Sequence, residues 1–189
     1  MAMGPNYIFV DLQGFLIGVG TCTFIPKEIA LINMEMKDVN EEYEMLHYLV
    51  RPPFSAKNLD KVGRESVCLS VDYGHNISWE NGSIPFENKM DPLEQELENV
   101  SSIFRINIVY MNTHKKKLYL ESILPKIFKE DRNFWVKNIY DDYNSSNTLE
   151  YLYGDYPYTF CKFHNNLKFR CARHNTEYMY GLVKNEMRK

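Results

Sequence analysis

Apolar positions change their period along this chain, and the changes mark its elements. Residues 7–11 form a short apolar run closed by Asp11, and Gly14 and Gly18 follow as turn signals. That pattern predicts a strand delivering Asp11 at its C-terminal end. Residues 24–33 predict a second strand, with Pro26 confined to its start and Glu28 where the run turns apolar. Residues 43–50 alternate as a third strand, which Arg51-Pro52-Pro53 stops, and the three make an antiparallel meander. From 54 to 87 no period holds; Gly63, Gly74, Gly82 and Pro85 mark a surface excursion with room for one short helix.

Helical spacing then takes over. Asp91-Pro92-Leu93-Glu94 reads as a helix start, with Asp91 as cap, Pro92 at the first helical position and Glu94 three residues after the cap. Leu93, Leu97, Val100 and Ile103 carry an apolar stripe to about Phe104. Residues 106–110 predict a fourth strand. Thr113 caps a basic helix that runs through Leu118, Leu120, Ile123 and Leu124 to Pro125. Residues 134–139 predict a fifth strand, 146–153 a short helix, 154–160 an aromatic loop and 171–186 a last helix. A meander followed by strands alternating with helices predicts a single α/β domain over 1–189, with a mixed five-stranded sheet and flanking helices.

Composition narrows the setting. A hydrophobic share of 44% and a charged share of 25% are globular values, so 189 residues suffice for one domain with its own core. The net charge of -3 excludes a bulk polycation, so any nucleic-acid binding must come from a local patch. No apolar run is long enough to span a bilayer, and the opening MAMGPNYIFVDLQGF lacks the features of a secretory signal. The expectation is an intracellular protein of cytoplasm or nucleus, with no membrane partner. Its cysteines are then reduced, and the sequons at Asn76, Asn81, Asn99 and Asn144 are chance. Cys22 and Cys68 have no ligand-spaced neighbour and are expected to be small buried residues.

The chemistry concentrates near the C-terminus. Cys161-Lys-Phe-His164 has the short-loop spacing that lets two ligands reach one tetrahedral ion, and Cys171 is close enough to join them. The competing reading is two buried cysteines and an unrelated histidine. A fourth ligand is required, and the residues alone leave it open. His174 can supply it locally, since it sits i+3 from Cys171, and so can a distant side chain.

The pattern of strands and helices resembles the DEDD 3′-5′ exonuclease branch of the ribonuclease H-like fold. Tyr7-Ile-Phe-Val-Asp11-Leu-Gln13 and Glu28-Ile-Ala-Leu-Ile resemble its first two strands, the run from Ile106 to His114 its later strand, and Arg170-Cys-Ala-Arg-His-Asn175 its last helix. The acidic set has been lost, however. Gln13 stands where the family has a glutamate, no acid follows Val109-Tyr110, and Arg170 and Asn175 replace the catalytic His and final Asp. Only Asp11 survives. Two-metal hydrolysis needs several carboxylates around two cations about 4 Å apart, so the substitutions argue against exonuclease activity and leave no catalytic residue.

The chain is also similar to the Maelstrom domain, a ribonuclease H-like family in which most members have lost these carboxylates and bind zinc instead. Pro26-Lys-Glu28-Ile29 and Cys161-x-x-His164-x6-Cys171 fit its Glu-Cys-His-Cys set. The resemblance implies a structural Zn2+ held by Glu28, Cys161, His164 and Cys171. It also implies single-stranded RNA as partner, a role in piRNA-mediated transposon silencing, and contacts with small-RNA pathway proteins.

Candidate RNA-binding residues follow from charge and aromatics. Lys115, Lys116 and Lys117 cluster on one helix, and Lys162, Lys168, Arg170 and Arg173 flank the metal loop. Tyr156 and Tyr158 precede that loop. Cations interleaved with aromatics suit single strands through phosphate neutralisation and base stacking. Two other functions compete. An active nuclease would pair Asp11 with Asp72 or Glu80, and a protein-protein adaptor would expose the loop around His75 and Trp79.

Overall fold

The computed structural model describes residues 5–18, 23–34, 43–104, 106–130, 133–143, 161–164 and 171–187. Among these residues there are six strands in a mixed sheet with helices on both faces. These are β1 (Asn6–Ile17), β2 (Thr23–Met34), β3 (Met45–Arg51), β4 (Ile84–Pro85), β5 (Asn107–Met111) and β6 (Phe134–Asn138). The order across the sheet is β4-β3-β2-β1-β5-β6. β1 pairs antiparallel with β2, and β2 with β3, so the expected meander is present. β5 joins β1 in parallel, and β6 joins β5 in parallel. The sixth strand, missed in the sequence, is the two-residue β4, parallel to the end of β3.

The α-helices among the described residues are α1 (Lys61–Ser70), α2 (Asp91–Ile103), α3 (His114–Ile123), α4 (Ile139–Asp142) and α5 (Ala172–Met187). Strand alternation distributes the core between the faces. Ile8, Val10 and Leu12 of β1, with Ile29 and Leu31 of β2, pack against Leu93, Leu97 and Val100 of α2 and Leu120 of α3. On the other face Phe9 and Ile32 pack under α5 through Met179, Tyr180 and Val183. None of the described helices is long and apolar enough to cross a membrane.

Two local expectations change. Asp11 does not end its strand. β1 continues to Ile17, and Gly14 is a bulge rather than a turn, with the register shifting between Gln13 and Gly14. A Cβ at Gly14 would run into the carbonyl of Ile25, so the bulge requires glycine. Asp91 is also the first helical residue of α2 rather than its cap, with Met90 at the cap position and Pro92 in the first turn. Thr113 does cap α3, accepting from the N–H of Lys116 at 3.3 Å.

The 54–87 stretch is more ordered than its composition suggests. It forms α1 and a one-turn π-helix (Val71–His75), and it closes a third cluster of Phe15, Ile25, Leu59, Val67 and Trp79. Lys27 anchors it: the buried ammonium donates to the carbonyls of Val50 (3.0 Å), Trp79 (2.8 Å) and Asn81. Gly82 at φ +140° lets the chain pass against the backbone of Val50 and Arg51. Cys68, expected to be buried, is exposed on α1. Cys22 and the expected 146–153 helix and 154–160 loop lie outside the described residues.

Candidate metal centre

Two buried carboxylates, Asp11 and Glu28, lie on the α5 face of the sheet, one strand apart. Register places them: Asp11 pairs with Ala30 and Gln13 pairs with Glu28, and cross-strand partners share a face. Both are fully buried. A buried carboxylate is costly unless something compensates its charge, so the partners of each define its chemistry.

Glu28 gathers soft donors. The ligand atoms of Glu28, Cys161, His164 and Cys171 all lie within 4.8 Å of one another, and all four residues are buried. Oε1 of Glu28 is 3.9 Å from Cys161 Sγ, 3.1 Å from His164 Nε2 and 3.4 Å from Cys171 Sγ. The sequence folds this way because three segments converge. β2 projects Glu28 inward. The N–H of His164 turns back to the carbonyl of Cys161 at 3.1 Å, which sets both ligands of the loop on one side. Cys171 sits immediately before α5, whose first residue, Ala172, donates its backbone N–H to Glu28 Oε2 at 2.8 Å. The positive end of the α5 dipole therefore faces the carboxylate.

Burial pushes the Glu28 carboxyl up, but hydrogen bonds from His164 and His47 and from the Ala172 N–H outweigh it and hold it down at about 2. Glu28 is an anion in this pocket. The thiols split. The contact between the two thiols pulls Cys161 down and, with burial, pushes Cys171 up. Two sulfurs, an imidazole and a carboxylate are the donor types that bind Zn2+, and four protein donors make a closed, structural site.

Of the two candidate fourth ligands, the structure brings Glu28 to the cluster and leaves His174 outside the four converging donors. The sequence reading missed His47, whose Nε2 lies 2.8 Å from Glu28 Oε1. Its only signal was alternation on β3, and its proximity to Glu28 depends on a register that sequence does not print. His75 was also misplaced. It is buried, its Nδ1 accepts from the N–H of Ile77 at 3.2 Å, and burial pulls its imidazole down to about 4. Trp79 is buried too, donating to the carbonyl of Phe54 at 2.7 Å, so neither residue forms the exposed contact expected of an adaptor.

Asp11 gathers hard, fixed donors instead. Lys116 Nζ meets Oδ1 at 2.5 Å, while Gln13 Nε2 and Asn175 Nδ2 each donate to Oδ2 at 2.7 Å. Burial pushes the carboxyl up, and Lys116, Asn175 and Gln13 offset that only in part, so the net shift is upward. Both oxygens accept hydrogen bonds, and the Lys116 ammonium lies against one of them. Glu80 is turned away, accepting from Ser55 Oγ and the Ala56 N–H at the surface, and so does not serve as a second acid.

The expected RNA-binding cations divide accordingly. Lys115 and Lys162 are exposed, and Lys117 is half-buried. Lys116 is withdrawn from the surface set by its bond to Asp11, because β1 and α3 bring the two together across a long stretch of chain. Arg173 pairs with Glu177 on its own helix at 3.0 Å. Lys168, Arg170, Tyr156 and Tyr158 lie outside the described residues. A scan of protein-family models finds no match to the chain, and a search of curated proteins finds none either.

Proposed function

We propose that this chain is a zinc-stabilised, catalytically degenerate ribonuclease H-like domain, similar to the Maelstrom domain, that binds single-stranded RNA in small-RNA-guided transposon silencing. The observation that carries this reading is the convergence of Glu28, Cys161, His164 and Cys171 from three chain segments into one buried donor set. Zn2+ bound there supplies no open position for water; it ties β2 to the start of α5. The sheet supports the fold assignment, with an antiparallel β1-β2-β3 meander and β5 and β6 added in parallel beside β1. The Asp11 pocket supports loss of hydrolysis, because Lys116, Gln13 and Asn175 fill the coordination that divalent cations would need. With chemistry gone, the exposed Lys115 and Lys162 offer phosphate contacts.

Fluorescence anisotropy with single-stranded and duplex RNA of equal length tests the binding. The expected result is preference for the single strand, weakened by Lys115→Glu and Lys162→Glu, and no cleavage with Mg2+ or Mn2+. Metal-dependent cleavage lost in Asp11→Ala would restore the nuclease reading, and absence of RNA binding by the folded zinc form would remove the RNA role.

A further inference from the structure

We infer that His47 is a positioning residue for the metal centre, holding Glu28 to one-oxygen coordination and so selecting a four-coordinate ion; this rests on the zinc reading above. His47 lies on β3, where its backbone pairs with Ala30, and Glu28 pairs with Leu49. The register puts both side chains on one face of the sheet at diagonal positions. The imidazole is nearly buried, with its Nε2 2.8 Å from Glu28 Oε1. A carboxylate that holds a cation can only accept, so at this 2.8 Å approach His47 Nε2 is the donor in the zinc-bound site.

The two carboxylate oxygens are thereby committed differently. Oε2 accepts from the Ala172 N–H at 2.8 Å and lies on the side of α5. Oε1 faces the sulfurs and His164, and of its two lone-pair directions one receives the His47 N–H. The other direction faces His164 Nε2 and the two sulfurs, the side on which a cation shared by all four donors would lie. A carboxylate free to rotate can chelate through both oxygens, which would raise the coordination number above the four that a structural zinc site uses. Donors fixed on both oxygens remove that freedom.

His47 is an outer-sphere group rather than a fifth ligand, since the mutually close donor set is Glu28, Cys161, His164 and Cys171. It also touches the opposite side of the site: its ring meets Phe163 edge-on, with centroids 4.7 Å apart. Phe163 lies between Cys161 and His164, so one imidazole braces both the β2 carboxylate and the loop carrying two ligands. Outer-sphere partners of this kind are commonly worth 10–100-fold in metal affinity.

The test is a competition titration of Zn2+ against a chromophoric chelator, with Co2+ substitution as a spectral readout, on wild type, His47→Ala, His47→Gln and His164→Ala. The expected result is that His47→Ala still binds one zinc at saturation but about 10–100-fold more weakly. Its Co2+ visible bands should lose intensity, as a tetrahedral ion gains a fifth donor. His47→Gln, which keeps a side-chain N–H, should recover most of both. Unchanged affinity and spectrum in His47→Ala would overturn the positioning role and leave the zinc site standing. Loss of zinc in His47→Ala equal to that in His164→Ala would make His47 a ligand and also overturn it. Failure of wild type to bind Zn2+ would remove the site itself, a different outcome from either. If His47→Ala does not fold, the contrast of His47→Gln with His47→Leu carries the same decision.

Discussion

Asp11 and Glu28 are a controlled comparison within one protein. Each is a fully buried carboxylate on the same face of the sheet, one strand from the other, and each is contacted by α5. Their partners differ in kind. Asp11 is compensated by a covalently attached cation, Lys116, and two amide donors. Glu28 is met by two sulfurs and two imidazoles, none of which brings a permanent positive charge. The first pocket carries its cation on the chain, whereas the second gathers neutral soft donors of the kind that hold a bound metal ion. The position of a carboxylate in a fold therefore says less about its function than the charge of what surrounds it.

The largest expected effect breaks the first pocket. Lys116→Met leaves the Asp11 carboxylate buried without its cation and should cost about 3–5 kcal/mol in urea unfolding. Adding Asp11→Asn to that variant should recover most of the loss. Equal damage from the single and double variants would show that Lys116 matters for packing rather than charge.

Acid separates the two sites next. The Glu28 carboxyl is held at about 2 against an ordinary 4.5. A depressed carboxyl stabilises the fold fully above about pH 4.5, and that contribution of roughly 3 kcal/mol is lost as pH falls toward 2. Thermal unfolding of the chelator-treated, metal-free proteins across that window should show the loss in wild type and a flatter limb in Glu28→Gln. The same acid limb in both proteins would mean that Glu28 is not the group responsible.

A smaller effect sharpens the picture at Asp11. Asn175→Ala removes one charge-assisted donor at 2.7 Å and should cost about 1.5–3 kcal/mol while leaving zinc content unchanged. A fall in zinc content would show that α5 transmits damage from one carboxylate to the other. The smallest expected effect is none: millimolar Mg2+ or Mn2+ should shift the melting temperature by no more than about 1 °C, because Lys116 already fills the Asp11 pocket. A clear rise would mean that the pocket still takes hard cations.

Much of this was legible where local chemistry decides. Apolar runs placed β1 and β2, alternation placed β3, Thr113 announced α3, and the Cys161, His164 and Cys171 spacing announced a site. Glu28 as fourth donor came from resemblance, since spacing alone also allowed His174. Contacts that depend on register or on long-range pairing were not legible. His47 reaches Glu28 only because of how β3 pairs with β2, and Lys116 reaches Asp11 only because α3 starts just after β5, the parallel neighbour of β1. The 54–87 stretch misled because its polar, glycine-marked pattern conceals single apolar anchors. Ile77 and Trp79 are buried there, and their loop is held by a lysine from β2. Gly14 read as a turn because a glycine that permits a bulge carries the same letter as one that permits a reversal.

The most direct measurement is elemental analysis of the purified protein, on wild type, Glu28→Ala, His164→Ala and His174→Ala, with melting temperatures alongside. The prediction is one zinc per chain, lost in Glu28→Ala and His164→Ala and retained in His174→Ala. Free zinc at a thousand times its Kd adds about 4 kcal/mol, so chelation should lower the melting temperature of wild type by about 10 °C. A wild-type protein without zinc, or one that keeps its zinc in Glu28→Ala and loses it in His174→Ala, would contradict the account.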